Sequence, residues 1–260
     1  MCETKQNLKV MSFNLRIATV NDGVNYFFNR AGRVLEAISA EAPDLIGFQE
    51  ANDEMREFLR KSLPGYTVLG SGRKAGYSGE GTPLAFRSDR FELISFDTKW
   101  LSDTPEVPES RFAESDQSKY PRIYVHARLR CIRSGRIVNF INTHTDHTGV
   151  QARYLETRQL MELVRSFKDS GVVITGDFNA TPETPEIRLL VSDPALGISD
   201  AAEGAGPTFH NFGRRTGENM LKIDYVFTDL PCAEAHVVED TPVEGVYISD
   251  HCPVVADLSL

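Results

Sequence analysis

A chain of 260 residues with 41% hydrophobic and 25% charged positions holds enough apolar material for one large core, which excludes a mainly disordered chain. Its 28 basic against 37 acidic residues leave a net charge of −9, which repels polyanions at long range and argues against tight non-specific binding to duplex nucleic acid. The four cysteines, Cys2, Cys131, Cys232 and Cys252, have no CxxC spacing, so neither a zinc site nor a disulfide framework is expected, and Cys131 and Cys252 read as small buried apolar residues.

The polar start MCETKQN lacks the apolar segment of a signal peptide, and no apolar run approaches the ~20 residues that span a bilayer. A cytoplasmic monomer is expected as the chain stands; it would be exported or lipid-anchored if a signal had been removed ahead of Cys2. One domain is expected over 1–260, with residues 1–7 as a flexible N-terminus. Leu8 to Arg16 (LKVMSFNLR) reads as a first strand, and Arg30 to Ala42 as a helix with Ala31, Val34, Leu35 and Ile38 on one face, stopped by Pro43-Asp44. LIGFQE, Leu45 to Glu50, is a short apolar strand with a polar exit. Asp53 to Leu63 is helical, with Met55, Phe58 and Leu59 inward.

GSGRKAGYSGEG, Gly70 to Gly81, is too rich in glycine for regular structure and lacks the order of a P-loop, so it reads as a surface loop. PLAFRSDRFELISF follows as two strand-like pieces, with Trp100 assigned to the core. Ser102 to Tyr120 is polar, contains prolines and is long enough to suggest a functional loop. Ile123 to Ile132 and Arg136 to Thr143 form a hairpin about Ser134-Gly135. Gln151 to Lys168 carries Leu160, Leu163, Val164 and Phe167 at helical spacing. A strand from Val172 ends in GDFN, and Thr184-Pro185 caps and opens another helix. Asp224 to Asp229 and Pro253 to Leu260 close the chain as strands. No dinucleotide fingerprint or internal repeat is present.

Polar residues recur at one kind of position. Asn14, Glu50, His144, Asp177 and Asn179 sit at or just past the C-terminal ends of expected strands, and Asp250-His251 immediately precede one. Such ends face a crevice in layered α/β proteins, so these residues can converge. Glu50, Asp177, Asp224 and Asp250 are hard oxygen donors, Asn14 and Asn179 add neutral carbonyls, and the set suits Mg²⁺ or Mn²⁺ better than zinc. A hard cation with few protein ligands serves phosphate chemistry, and His144 and His251 supply donors or handle protons.

In the order NLR, QE, NTHTDH, GDFN, IDYVF and SDH, the motifs resemble the endonuclease/exonuclease/phosphatase superfamily over nearly the whole chain. The resemblance implies a four-layered α/β sandwich, two mixed β-sheets packed face to face with helices outside, and a site at one edge between the sheets. It implies Glu50 as principal metal ligand, Asn14 holding a metal-bound water or the phosphate, and Asp250 near the metal. His251 would meet the phosphate and be oriented by Asp224. Asp177 would position or deprotonate the attacking water, Asn179 would steady it, and His144 would donate to a non-bridging oxygen.

Arg122 is a candidate for the substrate phosphate, against a surface ion pair. Tyr124 reads as packing and Asp146 and His147 as local loop bonding; Arg73, Lys74, Arg87 and Arg111 are solvated by default. The expected function is a divalent-metal-dependent phosphoesterase that cleaves a phosphodiester or phosphomonoester by in-line attack of water. The alternatives are a nuclease for single-stranded RNA or DNA, with Tyr77 and Phe112 holding bases, and a catalytically inactive binding module.

Overall fold

The computed structural model describes residues 7–168 and 171–260. Its strands, in chain order, are β1 (Asn7–Asn14), β2 (Leu45–Gln49), β3 (Tyr66–Leu69), β4 (Leu84–Arg87), β5 (Phe91–Trp100), β6 (Ile123–Cys131), β7 (Ile137–His144), β8 (Val172–Asp177), β9 (Ser199–Asp200), β10 (Asp224–Thr228), β11 (Cys232–Val237) and β12 (Val254–Ser259). The α-helices are α1 (Phe27–Glu41), α2 (Asp53–Ser62), α3 (Val150–Arg165) and α4 (Pro185–Ser192). One sheet runs β11-β12-β1-β2-β4-β3 and the other β5-β6-β7-β8-β10-β9. Both are mixed: β1 is parallel to β2 and β7 to β8, and their other neighbours are antiparallel.

Three apolar layers follow from the two-residue period of the strands. Leu8 and Val10 of β1 meet Val138 and Phe140 of β7 and Val173 of β8 between the sheets. Met11 and Phe13 point the other way, onto Val34 and Ile38 of α1 and Leu59 of α2. Ile174 of β8 and Phe227 of β10 pack on Leu160 of α3 and Leu190 of α4. This is the expected four-layered sandwich, with helices on the two outer faces.

Along the inner faces the residue type changes from one end of the sheets to the other. β1 runs Leu8, Val10, Ser12, Asn14; β7 runs Val138, Phe140, Asn142, His144; β8 runs Val173, Thr175, Asp177. The sandwich is therefore oily at one end and polar at the other. Asn142 bonds the sheets together where the change occurs: its amide donates to Phe48 O at 2.7 Å and Pro83 O at 2.9 Å, and its oxygen accepts from Gln49 at 2.7 Å. Gly47 makes this contact possible, because a Cβ there would lie 1.9 Å from Thr175 Oγ1 and 2.5 Å from Asn142 Oδ1.

Several boundaries differ from expectation. Asn7 is the first residue of β1 and not part of a flexible start, while Cys2 and the rest of 1–6 lie outside the described residues. β1 ends at Asn14, because Arg16 is left-handed (φ 54°). α1 begins at Phe27 and ends at Glu41, with Ala42 left-handed. α3 ends at Arg165, short of Lys168. Thr184 precedes α4 as expected, but its hydroxyl donates back to Thr181 O and caps nothing. Edge strand β11 and the short β3 and β9 had no clear periodic signal. Cys131, Cys252, Trp100 and Tyr124 are buried as expected. No helix among the described residues is long and apolar enough to cross a membrane.

Inside α3, Glu156 is fully buried; its Oε2 accepts the Asp146 N–H at 2.8 Å and its Oε1 has no partner among the described residues. Burial pushes this carboxyl up from 4.5 to about 8, against the pull of Arg122. The folded chain thus keeps a proton that the unfolded chain has lost. The resulting stabilisation is complete below pH 4.5 and disappears as pH rises through about 8. Glu156→Gln removes this dependence, so its Tm advantage over wild type should grow from pH 5 to pH 8.5, at ~2–4 °C per kcal/mol for a chain of this size. A Tm difference that is the same at both pH values would contradict the assignment.

Candidate active site

Four strand exits meet at the polar end of the sandwich. Asn14 closes β1, and its side chain is oriented unambiguously: Oδ1 accepts from Arg16 N at 2.9 Å, which leaves the amide to donate to Asp177 Oδ2 at 2.9 Å and Glu50 Oε1 at 3.3 Å. Asn14 therefore bridges two acids as a donor. Its carbonyl, expected near a metal, uses one lone pair on the backbone and keeps the other. Glu50 follows β2 in a left-handed conformation (φ 60°), and its Oε2 accepts from Ile17 N at 2.9 Å.

Asp177 ends β8 beside His144 at the end of β7, the two strands being paired in register there. Asp177 Oδ1 accepts from Asn179 N at 2.8 Å, across a turn in which Asn179 is left-handed (φ 48°). The Asn179 amide donates to Thr145 O at 3.1 Å and lies 2.9 Å from His144 Nε2. With the Asn179 amide donating, Nε2 of His144 is assigned as the acceptor and the proton to Nδ1, 3.8 Å from Glu80 Oε1. Burial, Arg122 and Arg73 hold this imidazole well below its ordinary value, in the neutral form. The donation to a phosphoryl oxygen expected of His144 requires its proton on the other nitrogen, Nε2, which lies 3.5 Å from Asp177 Oδ2.

Asp224 and His251 come together from β10 and the approach to β12. Asp224 Oδ2 lies 2.8 Å from His251 Nδ1 and also accepts from the Thr208 hydroxyl at 2.5 Å. His251 Nε2 is 3.8 Å from Asp177 Oδ2. Desolvation disfavours the charged ring, but Asp224, Asp250 and Asp177 outweigh it and raise His251 to about 10. Asp177 is pushed up to about 7 by burial, by the Asp224 charge and by Glu50. Asp250 is raised by burial and by Glu50, whereas Glu50 itself, despite desolvation, is lowered by the Ile17 N–H, Arg16 and His251.

Two arginines missed by sequence reasoning hold these segments. Arg30 is completely buried in α1 and donates to Leu15 O and Ile248 O at 2.6 Å, Asn25 O at 2.8 Å and Arg16 O at 2.8 Å. It ties the NLR segment to the SDH segment. Arg16 pairs with Asp22 at 3.0 Å and reaches Asp250 at 4.0 Å. Arg122 is buried, with Nη2 2.9 Å from His147 Nδ1 and Nε 3.5 Å from Asp146, so it is no surface residue. Asp146 fulfils the expected loop role: it accepts from Thr148 N, Gly149 N and the Ser118 hydroxyl, and these bonds hold its carboxyl down at about 2 against desolvation. Arg73, expected in solvent, is buried and bonded to Glu80 at 2.8 Å, whereas Lys74 and Arg111 are exposed and Arg87 pairs with Asp89. Phe112 packs against the core, and Tyr77 leans on Trp100.

Three buried aspartates and a partly buried glutamate crowd a single imidazolium, and the raised values of Asp177 and Asp250 record an excess of negative charge. The donor set fits a hard dication. Asp177, Asp224 and His251 could each offer one atom within 4.8 Å of one another, but Asp224 and His251 already bond each other. Glu50 and Asp250 keep lone pairs for a cation.

A model of the Endonuclease/Exonuclease/phosphatase family matches residues 11–251. A Bacteroides vulgatus structure titled endonuclease/exonuclease/phosphatase is 29% identical, with a TM-score of 0.91, covering 98% of this chain and 100% of that one. The Bacteroides thetaiotaomicron mannosyl-6-phosphatase is 27% identical, with a TM-score of 0.85 over 97% and 100% of the two chains. An uncharacterised protein of Acanthamoeba polyphaga mimivirus is 28% identical over 95% of this chain and 98% of its own.

The Asp224–His251 contact has a direct readout. In metal-free wild type the His251 ring should stay protonated through neutral pH and titrate at about 10. In Asp224→Asn its midpoint should fall to about 8 or below, because an adjacent carboxylate is worth ~1–3 in pKa. NMR titration of the ring protons measures both, and an unchanged midpoint would contradict the pairing.

Proposed function

The chain belongs to the endonuclease/exonuclease/phosphatase family, whose members are hydrolases of phosphoester bonds, and we propose that it is a divalent-metal-dependent phosphoesterase using in-line attack of water on a small phosphodiester or phosphomonoester. The observation that carries this reading is the position of Asp177: bonded to Asn14 and Asn179, 3.8 Å from the His251 ring, with Glu50 on the far side of the Asn14 amide. The likeness to the Bacteroides mannosyl-6-phosphatase supports a phosphomonoester beside the diester.

In this reading Glu50 and Asp250 would hold Mg²⁺ or Mn²⁺, whose charge would offset that of the phosphoryl oxygens. Asp177 takes a proton from the attacking water, and its value near 7 suits a base at neutral pH. Asn14 and Asn179 fix the Asp177 carboxylate, each by a hydrogen bond to a different oxygen. His251 is fully protonated and held by Asp224, so it presents Nε2–H to a phosphoryl oxygen as negative charge builds there. The P–O bond to the departing alkoxide breaks as the water oxygen bonds phosphorus from the opposite side, and the alkoxide takes a proton from solvent to leave as the alcohol. His144 acts through Asn179, and Arg122 acts through the loop carrying Asp146 and His147.

A panel of bis(p-nitrophenyl) phosphate, p-nitrophenyl phosphate, sugar monophosphates and a single-stranded oligonucleotide tests the proposal. At least one member should be hydrolysed with Mg²⁺ or Mn²⁺, and chelator should abolish that turnover. Asp177→Ala should lower kcat by about 10²–10⁴-fold. Activity on every member that survives both treatments would overturn the mechanism.

A further inference from the structure

Beside the acid cluster, between the loops 70–81 and 101–122, lies a cavity of about 590 Å³. It is lined by four cations, Arg73, Lys74, Arg111 and Lys119, and two acids, Glu80 and Glu109, in a chain whose net charge is −9. The acids are engaged: Glu80 is bonded to Arg73 at 2.8 Å, and Glu109 accepts from Ala75 N at 2.9 Å. Among the described residues no carboxylate is within ion-pair reach of Lys74, Arg111 or Lys119. The Tyr120 ring has Arg73 at 5.0 Å and Lys119 at 5.2 Å from its centroid, so it holds cations at the cavity.

The cavity is joined to the reaction centre by two of its own walls. Ile17 lines it and donates its N–H to Glu50, and Glu80 lines it 3.8 Å from His144 Nδ1. The glycine-rich wall is fixed in place. Gly79 donates to Asp53 at 2.7 Å, Trp100 Nε1 donates to Arg73 O at 2.8 Å, and Gly81 exchanges hydrogen bonds with Ala51. A Cβ on Gly81 would lie 2.1 Å from Ser71 O, so the close return of the loop requires glycine there.

Resting on the phosphoesterase reading, we propose that this cavity receives the alcohol part of the substrate and selects one bearing a second anionic group, a phosphate or a carboxylate. Unpaired cations gathered in one concave site beside a centre that handles a phosphate raise the local concentration of dianionic molecules. A nucleic-acid strand would instead need cations spread along a track. The substrate class is therefore a small molecule with anionic groups at two positions.

Calorimetric binding in the Asp177→Asn background, with Mg²⁺ present, compares alkyl monophosphates of three to six carbons with the matching alkanediol bisphosphates and ω-carboxyalkyl phosphates. The background should bind at least one doubly anionic series about tenfold or more tightly than the monophosphates. Adding Lys74→Ala and Lys119→Ala should reduce that preference to less than about threefold, while adding Lys61→Ala, on the outer face of α2, should leave it intact. Preference for the bisphosphate alone assigns the second group as phosphate, and preference for both admits carboxylate. Equal affinity for all three series, or a preference that survives the double lysine substitution, overturns the inference. If the preference is present but wild type hydrolyses neither these compounds nor any member of the phosphate panel above, the anion site stands and the catalytic reading fails.

Discussion

Carboxylates that share a desolvated site repel one another, and that repulsion governs the polar end of this molecule. Asp177, Asp224 and Asp250 are buried within a few side chains of Glu50, and burial disfavours each charge before mutual repulsion is added. The protein offsets part of the excess with the His251 imidazolium, the Arg16 guanidinium and amide donors from Asn14 and Asn179. Asp177 and Asp250 remain raised despite these partners. The remainder would favour a bound cation, and under the proposed phosphoesterase reading Asp177, raised to about 7, would accept a proton near neutral pH.

Such a cluster survives only if the fold holds it rigidly. The inner strand faces change from apolar to polar at the same level in β1, β7 and β8, so one packed core supports the whole site from beneath. Asn142 and Gly47 lock the sheets at that level. Above it, Arg16, Glu50 and Asn179 adopt left-handed backbone, each costing of order 1–3 kcal/mol for a non-glycine residue. Arg30 restrains two of the segments concerned by donating to four carbonyls, a buried cation with no carboxylate bonded to it among the described residues, whose value burial lowers to about 10. Local strain at the site is thus balanced by bonds made just outside it.

The alternation of Leu8, Val10, Ser12 and Asn14, and of Val173, Thr175 and Asp177, carries the architecture and the direction of the site openly, because strand period and burial are local properties. The pairing of Asp224 with His251 was legible through motif order. What stayed hidden depends on long-range geometry. The role of Arg30 lies in carbonyls as far away as Ile248, and nothing around position 30 marks it. The direction of the Asn14 amide is decided by Arg16 N, and the assigned acceptor role of His144 by Asn179; motif order alone announces neither orientation. Arg73 looked solvated because its partner, Glu80, sits at the far end of a glycine-rich loop whose return no local pattern announces.

In the proposed reading a dication would relieve the charge of Glu50 and Asp250, and thermal unfolding with and without Mg²⁺ measures that most directly. Binding to the folded state alone raises Tm in proportion to RT ln(1 + [Mg²⁺]/Kd), and the effect should be larger at pH 8, where the acids are ionised, than at pH 5. In Glu50→Gln, ligand charge is lost and the Mg²⁺-dependent rise should largely vanish at both pH values. A wild-type Tm indifferent to Mg²⁺ and Mn²⁺, or a rise that Glu50→Gln leaves unchanged, would contradict it.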